Sequence, residues 1–173
     1  MPTQNKALKR IRAEGNFKVL KNGEGTNFTT ATLNIGCTPP FGCGQSASFK
    51  APEEARITHN ISISVPYGTT EGTFKVLPGD YSVPGANYAT RRAAANGWFL
   101  SVYHAHEGEI VIENADITKG TMKGSFHFDV EVGGVTTRYE GTFDLTGAEQ
   151  LPLDIPPYFN GTGAALLATD LLK

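Results

Sequence analysis

A glycine pair, Gly133-Gly134, separates two runs of alternating residues, MKGSFHFDVEV and VTTRYEGTFDL, and no other feature restricts the fold of this chain as tightly. Adjacent glycines adopt the positive φ angles of a two-residue hairpin turn without steric penalty. A turn at that point sets Val132 opposite Val135, and every later pair follows by counting outward. One face then pairs Met122 with Leu145, Gly124 with Phe143, Phe126 with Gly141, Phe128 with Tyr139 and Val130 with Thr137. The other pairs Lys123 with Asp144, His127 with Glu140 and Asp129 with Arg138. Apolar partners collect on one side and complementary charges on the other, and a slip of one residue scrambles both sets. With GEIVIENAD in front of it, the segment 108–145 reads as three antiparallel strands.

The same period of two recurs upstream. In ARITHNISISVPYG, Ile57, His59, Ile61, Ile63 and Val65 share a face opposite Thr58, Asn60, Ser62 and Ser64. In TNFTTATLNIG, Ala31, Leu33 and Ile35 oppose Thr30, Thr32 and Asn34, which implies one buried and one wet surface. NFKVL, GTFKVL and GWFLSVYHAH read as further strands, with turns at Asn22-Gly23, Tyr67-Gly68 and Pro78-Gly79-Asp80. Residues 84–96, PGANYATRRAAAN, lack strand alternation and read as a loop with a helical turn over 89–95.

About eight short strands predict an all-β protein, an antiparallel β-sandwich with a partly closed barrel as the alternative. Short helices are expected at both ends. Residues 1–14 form an N-terminal arm or basic helix (QNKALKRIRA, 4–13), 15–147 the β-domain, and 148–173 an extended, proline-containing tail. That tail ends in an apolar helix, GAALLATDLLK, whose Leu166, Leu167, Leu171 and Leu172 need a surface to pack on.

A chain of 173 residues supports one well-buried core. Its 15 Lys and Arg against 17 Asp and Glu give a net charge of -2, no field to attract phosphates, which excludes nucleic acid as a partner class. No apolar run approaches the ~20 residues needed to span a bilayer. The first residues, MPTQNKALKRIRAEGNF, carry positive charge with no apolar segment behind it and so do not read as a secretory signal. The chain is then cytoplasmic, exported by a route without a cleaved leader, or trimmed of one. Cys37 and Cys43 have three readings: a disulfide closing a small loop, free thiols, or half of a zinc site.

No GxSxG elbow, phosphate-binding loop, dinucleotide fingerprint or HExxH occurs, so no complete catalytic constellation is written in the chain. His104-Ala105-His106 places two imidazoles at i and i+2, on one face of a strand and within reach of one metal ion, with Glu109, His127 or His59 as a third ligand. Against this, Trp98, Leu100 and Val102 share that face, and the histidines then simply cap an apolar row. His127, opposite Glu140 and near Ser125 and Thr142, has the make-up of an acid–base pair and equally that of an exposed charge ladder. Tyr81, Tyr88, Trp98 and Tyr103 either line a ligand cleft or pack the core. Tyr88, Trp98, Tyr103, His104 and His106 are accordingly the candidate binding residues, and no metal set or cofactor site is complete. Arg91-Arg92 suits an anionic group or plain solvation.

The HxH strand with LPGDYSVPG before it superficially resembles the cupins, but there the PGD-type turn follows the HxH strand, so the assignment fails. Over about 57–145, the succession ITHNISISV, GTFKVLPGDYSV, EGEIVI, KGSFHF and EGTFDL resembles an uncharacterised group of small bacterial β-domains, many secreted or lipid-anchored. The resemblance implies a compact antiparallel β-domain and supplies no catalytic residue. The function expected is a non-enzymatic binding or assembly module that recognises a protein partner or itself, with glycan as a further ligand class. The alternatives are a metal-dependent enzyme using His104 and His106, and a carrier of a small apolar ligand.

Overall fold

A computed structural model describes residues 9–38, 42–79, 82–116 and 119–150. Eleven strands account for about three quarters of them: β1 (Lys9–Lys21), β2 (Glu24–Gly25), β3 (Thr29–Thr38), β4 (Gly42–Lys50), β5 (Ile57–Pro66), β6 (Gly72–Lys75), β7 (Gly85–Ala94), β8 (Gly97–His104), β9 (Glu107–Asp116), β10 (Thr121–Val132) and β11 (Val135–Gln150). Among the described residues the one helical element is a 3-10 turn, Pro52–Glu54.

The β10–β11 hairpin has the register that the glycine pair dictates, from Val132 opposite Val135 out to Met122 opposite Leu145. Gly133 and Gly134 take φ of 61° and 79°. From this hairpin the sheet grows both ways in the order β6-β9-β10-β11-β1-β3-β4-β5-β7-β8, with β2 appended to β1 and every pairing antiparallel. It is one continuous, strongly curled sheet, a partly open barrel whose two halves face each other across a shared core like the layers of a sandwich. The ends of the sheet meet at one rim. Leu77 N–H donates to Pro84 O, Ala105 N–H to Ala86 O and His106 N–H to Asp129 O.

Large side chains fill the concave side. Phe17 packs on Phe126 and Phe49 with ring centroids 5.5 and 5.8 Å apart, and Tyr88 of β7 stacks on Tyr139 of β11 at 4.6 Å. Each such ring taken from water stabilises the fold by roughly 1.5–3 kcal/mol. The space for them comes from small partners: Gly124 lies opposite Phe143 and Gly141 opposite Phe126, so each ring covers the glycine across from it. A methyl group at Gly141 would meet the Lys18 carbonyl and the edge of the Phe126 ring.

Several elements differ from the sequence-based expectation. Residues 9–13, expected in a helix, are the first part of β1, because Ile11–Ala13 bond to β3 on one side and β11 on the other, and two ladders outweigh a weak helical preference. Residues 85–94, expected as loop, are β7, whose Ala86 and Tyr88 face the core while Asn87 and Ala89 face out. Ala31 is exposed because the β3–β4 register shifts between Thr30 and Thr32, which takes it off the face of Leu33 and Ile35. Of the three cysteine readings the disulfide holds: Cys37 and Cys43 face each other across β3 and β4 and are bonded. Residues 1–8 of the expected arm, Tyr81, and the expected C-terminal helix at 163–173 lie outside the described residues.

Gly141→Ala is expected to destabilise the fold by about 1–3 kcal/mol through forced backbone displacement, read from the urea midpoint. Gly25→Ala, at an exposed position with open space around it, should stay within about 0.5 kcal/mol of wild type. Equal behaviour of the two variants contradicts the packing described.

Candidate functional site

The β7–β8 hairpin begins inside the barrel and ends outside it. Tyr88 and Ala89 are buried, but beyond them β7 becomes progressively solvent-exposed, and all of β8 from Gly97 to Val102 is exposed. Trp98 is 57%, Phe99 69%, Leu100 45% and Val102 42% accessible, a concentration of apolar surface on eight consecutive residues. Trp98, Leu100 and Val102 lie on the convex side, opposite Ala93, Arg91 and Ala89 of β7. Phe99, opposite Arg92, lies on the other side. The Arg91 guanidinium sits 3.9 Å from the centre of the Trp98 ring, a cation–π contact that holds the indole against the hairpin.

The backbone of β8 has a defined polarity. Ala105 N–H bonds Ala86 O, and in an antiparallel ladder bonded pairs recur at every second residue. Tyr103, Ser101 and Phe99 therefore bond β7, while the N–H and C=O groups of Val102, Leu100 and Trp98 point away from it. β7 agrees, since Ala93 N–H bonds Arg56 O of the chain leading into β5, which puts the odd residues of β7 on that side and the even ones toward β8. Among the described residues no strand flanks β8 on its outer side. Natural sheet edges are commonly guarded by charge, proline or a bulge; β8 carries no Lys, Arg, Asp, Glu or Pro and pairs with β7 without a register shift.

The five sequence-derived binding residues do not form one cleft. Tyr88 is a core residue, and the half-buried Tyr103 stacks on it at 5.8 Å. Trp98, for which ligand binding and core packing were both open, is exposed near the hairpin tip, because the strand outruns the barrel before reaching it. His104 is half-buried and pairs with Asn87, while His106 is exposed beyond the end of β8. Among the described residues no three His, Cys, Asp or Glu side chains come together as a metal set. His127 lies between Glu140 and Glu109 on the outer face of the sheet, part of a charge ladder. No helix among the described residues is long and apolar enough to cross a membrane.

Sequence reasoning missed a buried polar row. His59 Nε2 lies 2.5 Å from Glu54 Oε2, and His59 Nδ1 lies 2.8 Å from the hydroxyl of Tyr88, whose ring stacks on Tyr139. The imidazole is stacked on Phe28 with centroids 4.6 Å apart. An imidazole that donates to Glu54 at Nε2 accepts the Tyr88 hydroxyl proton at Nδ1. The signal for this row in sequence was His59 within an otherwise aliphatic face, since Phe28 and Tyr88 come from distant segments and only Glu54 lies nearby in the chain. In contrast, the amide of Gln45, set between Ile35 and Ile63, has no hydrogen-bond partner, and one isolated amide is not a polar binding set.

Burial raises the Tyr88 hydroxyl far above the usual phenol range and pushes Tyr139 up to about 12. A folded value above the unfolded one, near 10, means the stabilisation is complete below that pH and is lost as pH rises through the folded values. Tyrosinate absorbance should therefore show Tyr88 and Tyr139 ionising only with alkaline unfolding, after the exposed tyrosines. Ionisation of every tyrosine near pH 10 with the fold intact contradicts the buried row.

Comparison with protein-family models, with curated proteins and with solved structures finds no match to this chain.

Proposed function

We propose that this chain is a non-enzymatic binding or assembly module that recognises protein by strand addition along the outer edge of β8. One observation carries the reading: a strand edge, unguarded among the described residues, whose outward-facing residues, Trp98, Leu100 and Val102, are each apolar and exposed. Main-chain hydrogen bonds along such an edge supply affinity, and alternate side chains supply selectivity. Arg91 and Arg92 add positive charge beside the apolar strip and favour an occupant without basic residues next to it. The other two readings have less to support them. A metal enzyme at His104 and His106 lacks a third ligand among the described residues, and an apolar carrier needs room where Phe17, Phe49, Phe126, Tyr88 and Tyr139 are in ring contact.

Proline substitution tests the edge directly, because proline deletes one N–H and is tolerated where that N–H faces outward. Leu100→Pro should abolish association, measured by sedimentation velocity of the protein alone and by affinity capture from its native source, while the circular dichroism spectrum stays that of wild type. Ser101→Pro removes an N–H bonded to β7 and should disrupt the hairpin itself. Undiminished association of a folded Leu100→Pro variant contradicts the proposal, as does the absence of any association by the wild type.

A further inference from the structure

We infer that the occupant of the β8 edge is the β8 strand of a second copy of this chain, paired antiparallel about a two-fold axis at Leu100. The inference rests on the edge reading and adds the partner and the register.

On the convex side of the strand WFLSV, 98–102, every residue is apolar and Leu100 stands midway between Trp98 and Val102, so reversing the strand again sets apolar against apolar. A two-fold dimer is isologous, so each residue must find a suitable partner within the same short list. With Leu100 on the axis, Leu100 meets Leu100 of the partner subunit, Trp98 meets the partner's Val102, and Val102 meets the partner's Trp98. All of these are residues whose N–H and C=O face the open edge, so each forms a bonded pair. On the other side Phe99, the most exposed of the large apolar residues, comes opposite the partner's Ser101, a small neighbour that leaves the ring room.

The competing two-fold register centred on Ser101 is disfavoured by the fold. It needs the edge as far as His104, but the chain there turns against β10, where His106 N–H is already bonded to Asp129 O. The free edge ends where the Leu100-centred pairing ends. Charge permits the approach as well. Arg91 and Arg92 sit on β7, one strand back from the contact. The β7 strands of two copies would stand about three strand spacings, roughly 14 Å, apart, beyond the screening length of about 8 Å at physiological salt. The two sheets would then join into one that runs through both barrels.

Single-cysteine variants read the register, and the native protein supports them because Cys37 and Cys43 are already bonded to each other and no free cysteine occurs among the described residues. Residues facing one another in a bonded antiparallel pair have Cα atoms about 5.5 Å apart, within disulfide range. Leu100→Cys, mildly oxidised, should give a covalent dimer by itself. Trp98→Cys and Val102→Cys should each remain monomeric alone and cross-link to each other when mixed, with circular dichroism confirming that all three are folded. Folded Leu100→Cys that stays monomeric under oxidation overturns the inference, and so does equal cross-linking of Trp98→Cys alone. Should Leu100→Cys fail to cross-link while Leu100→Pro still abolishes capture of another protein, the second copy is ruled out and the edge reading survives.

Discussion

Successive amides of an extended chain point in opposite directions, and at Ala105 and His106 this alternation holds the barrel together. Ala105 N–H reaches β7 and His106 N–H reaches β10, so one strand, running from β8 into β9, bonds both ends of a sheet that would otherwise be open. The curl follows from that junction. It brings Tyr88 of β7 against Tyr139 of β11 and encloses the aromatic core between them. It also divides the strand: past the junction β9 is paired on both sides by β6 and β10, whereas before it β8 has β7 alone among the described strands. Closure of the barrel and exposure of the β8 edge are two results of one geometry.

Polar groups are placed to suit that arrangement. Asp129, buried despite lying on the outer face, receives the Arg138 guanidinium through two bonds of 2.7 and 2.8 Å. The Arg138 hydrogen bonds hold its carboxyl below the usual carboxylate range. A depressed folded value means the pair stabilises fully above the unfolded carboxylate pKa, near 4, and its contribution fades as pH falls through the lower folded value. Because Arg138 is half in solvent, the net gain is modest. Asp129 also accepts the His106 N–H at its backbone oxygen, so the ion pair and the closing junction share a residue. In the core, the Glu54–His59–Tyr88 hydrogen bonds tie the 3-10 turn to β5 and β7, and Tyr88 stacks on Tyr139 of β11.

The hairpin about Gly133-Gly134 was legible because two independent signals, turn chemistry and charge–apolar segregation, agree on one register, and β10 and β11 adopt it pair for pair. Less could be read where small residues stand in for apolar ones. β7 is lined with Ala86, Ala89, Ala93 and Ala94, which alternate between faces without a contrast in hydropathy, and only the positions of its neighbours make it a strand. The N-terminal residues 9–13 have helical composition, and pairing to β3 and β11, settled far away in sequence, overrides it. The two readings of the aromatic set were inseparable in sequence for a related reason. Trp98 and Tyr103 look alike in a strand pattern, but alternation tells which face a side chain takes and not how far along the strand the barrel wall ends.

On β8, exposed apolar side chains coincide with backbone groups that no other strand among the described residues pairs, and the contact proposed for this edge rests on that coincidence. Everything in this account depends on the alternation of β8. Amide hydrogen exchange in dilute monomeric protein tests it residue by residue. Slow exchange at Phe99, Ser101 and Tyr103 with fast exchange at Trp98, Leu100 and Val102 is the pattern required. Uniform protection along β8, or the opposite alternation, would show that the edge is not open where the fold places it.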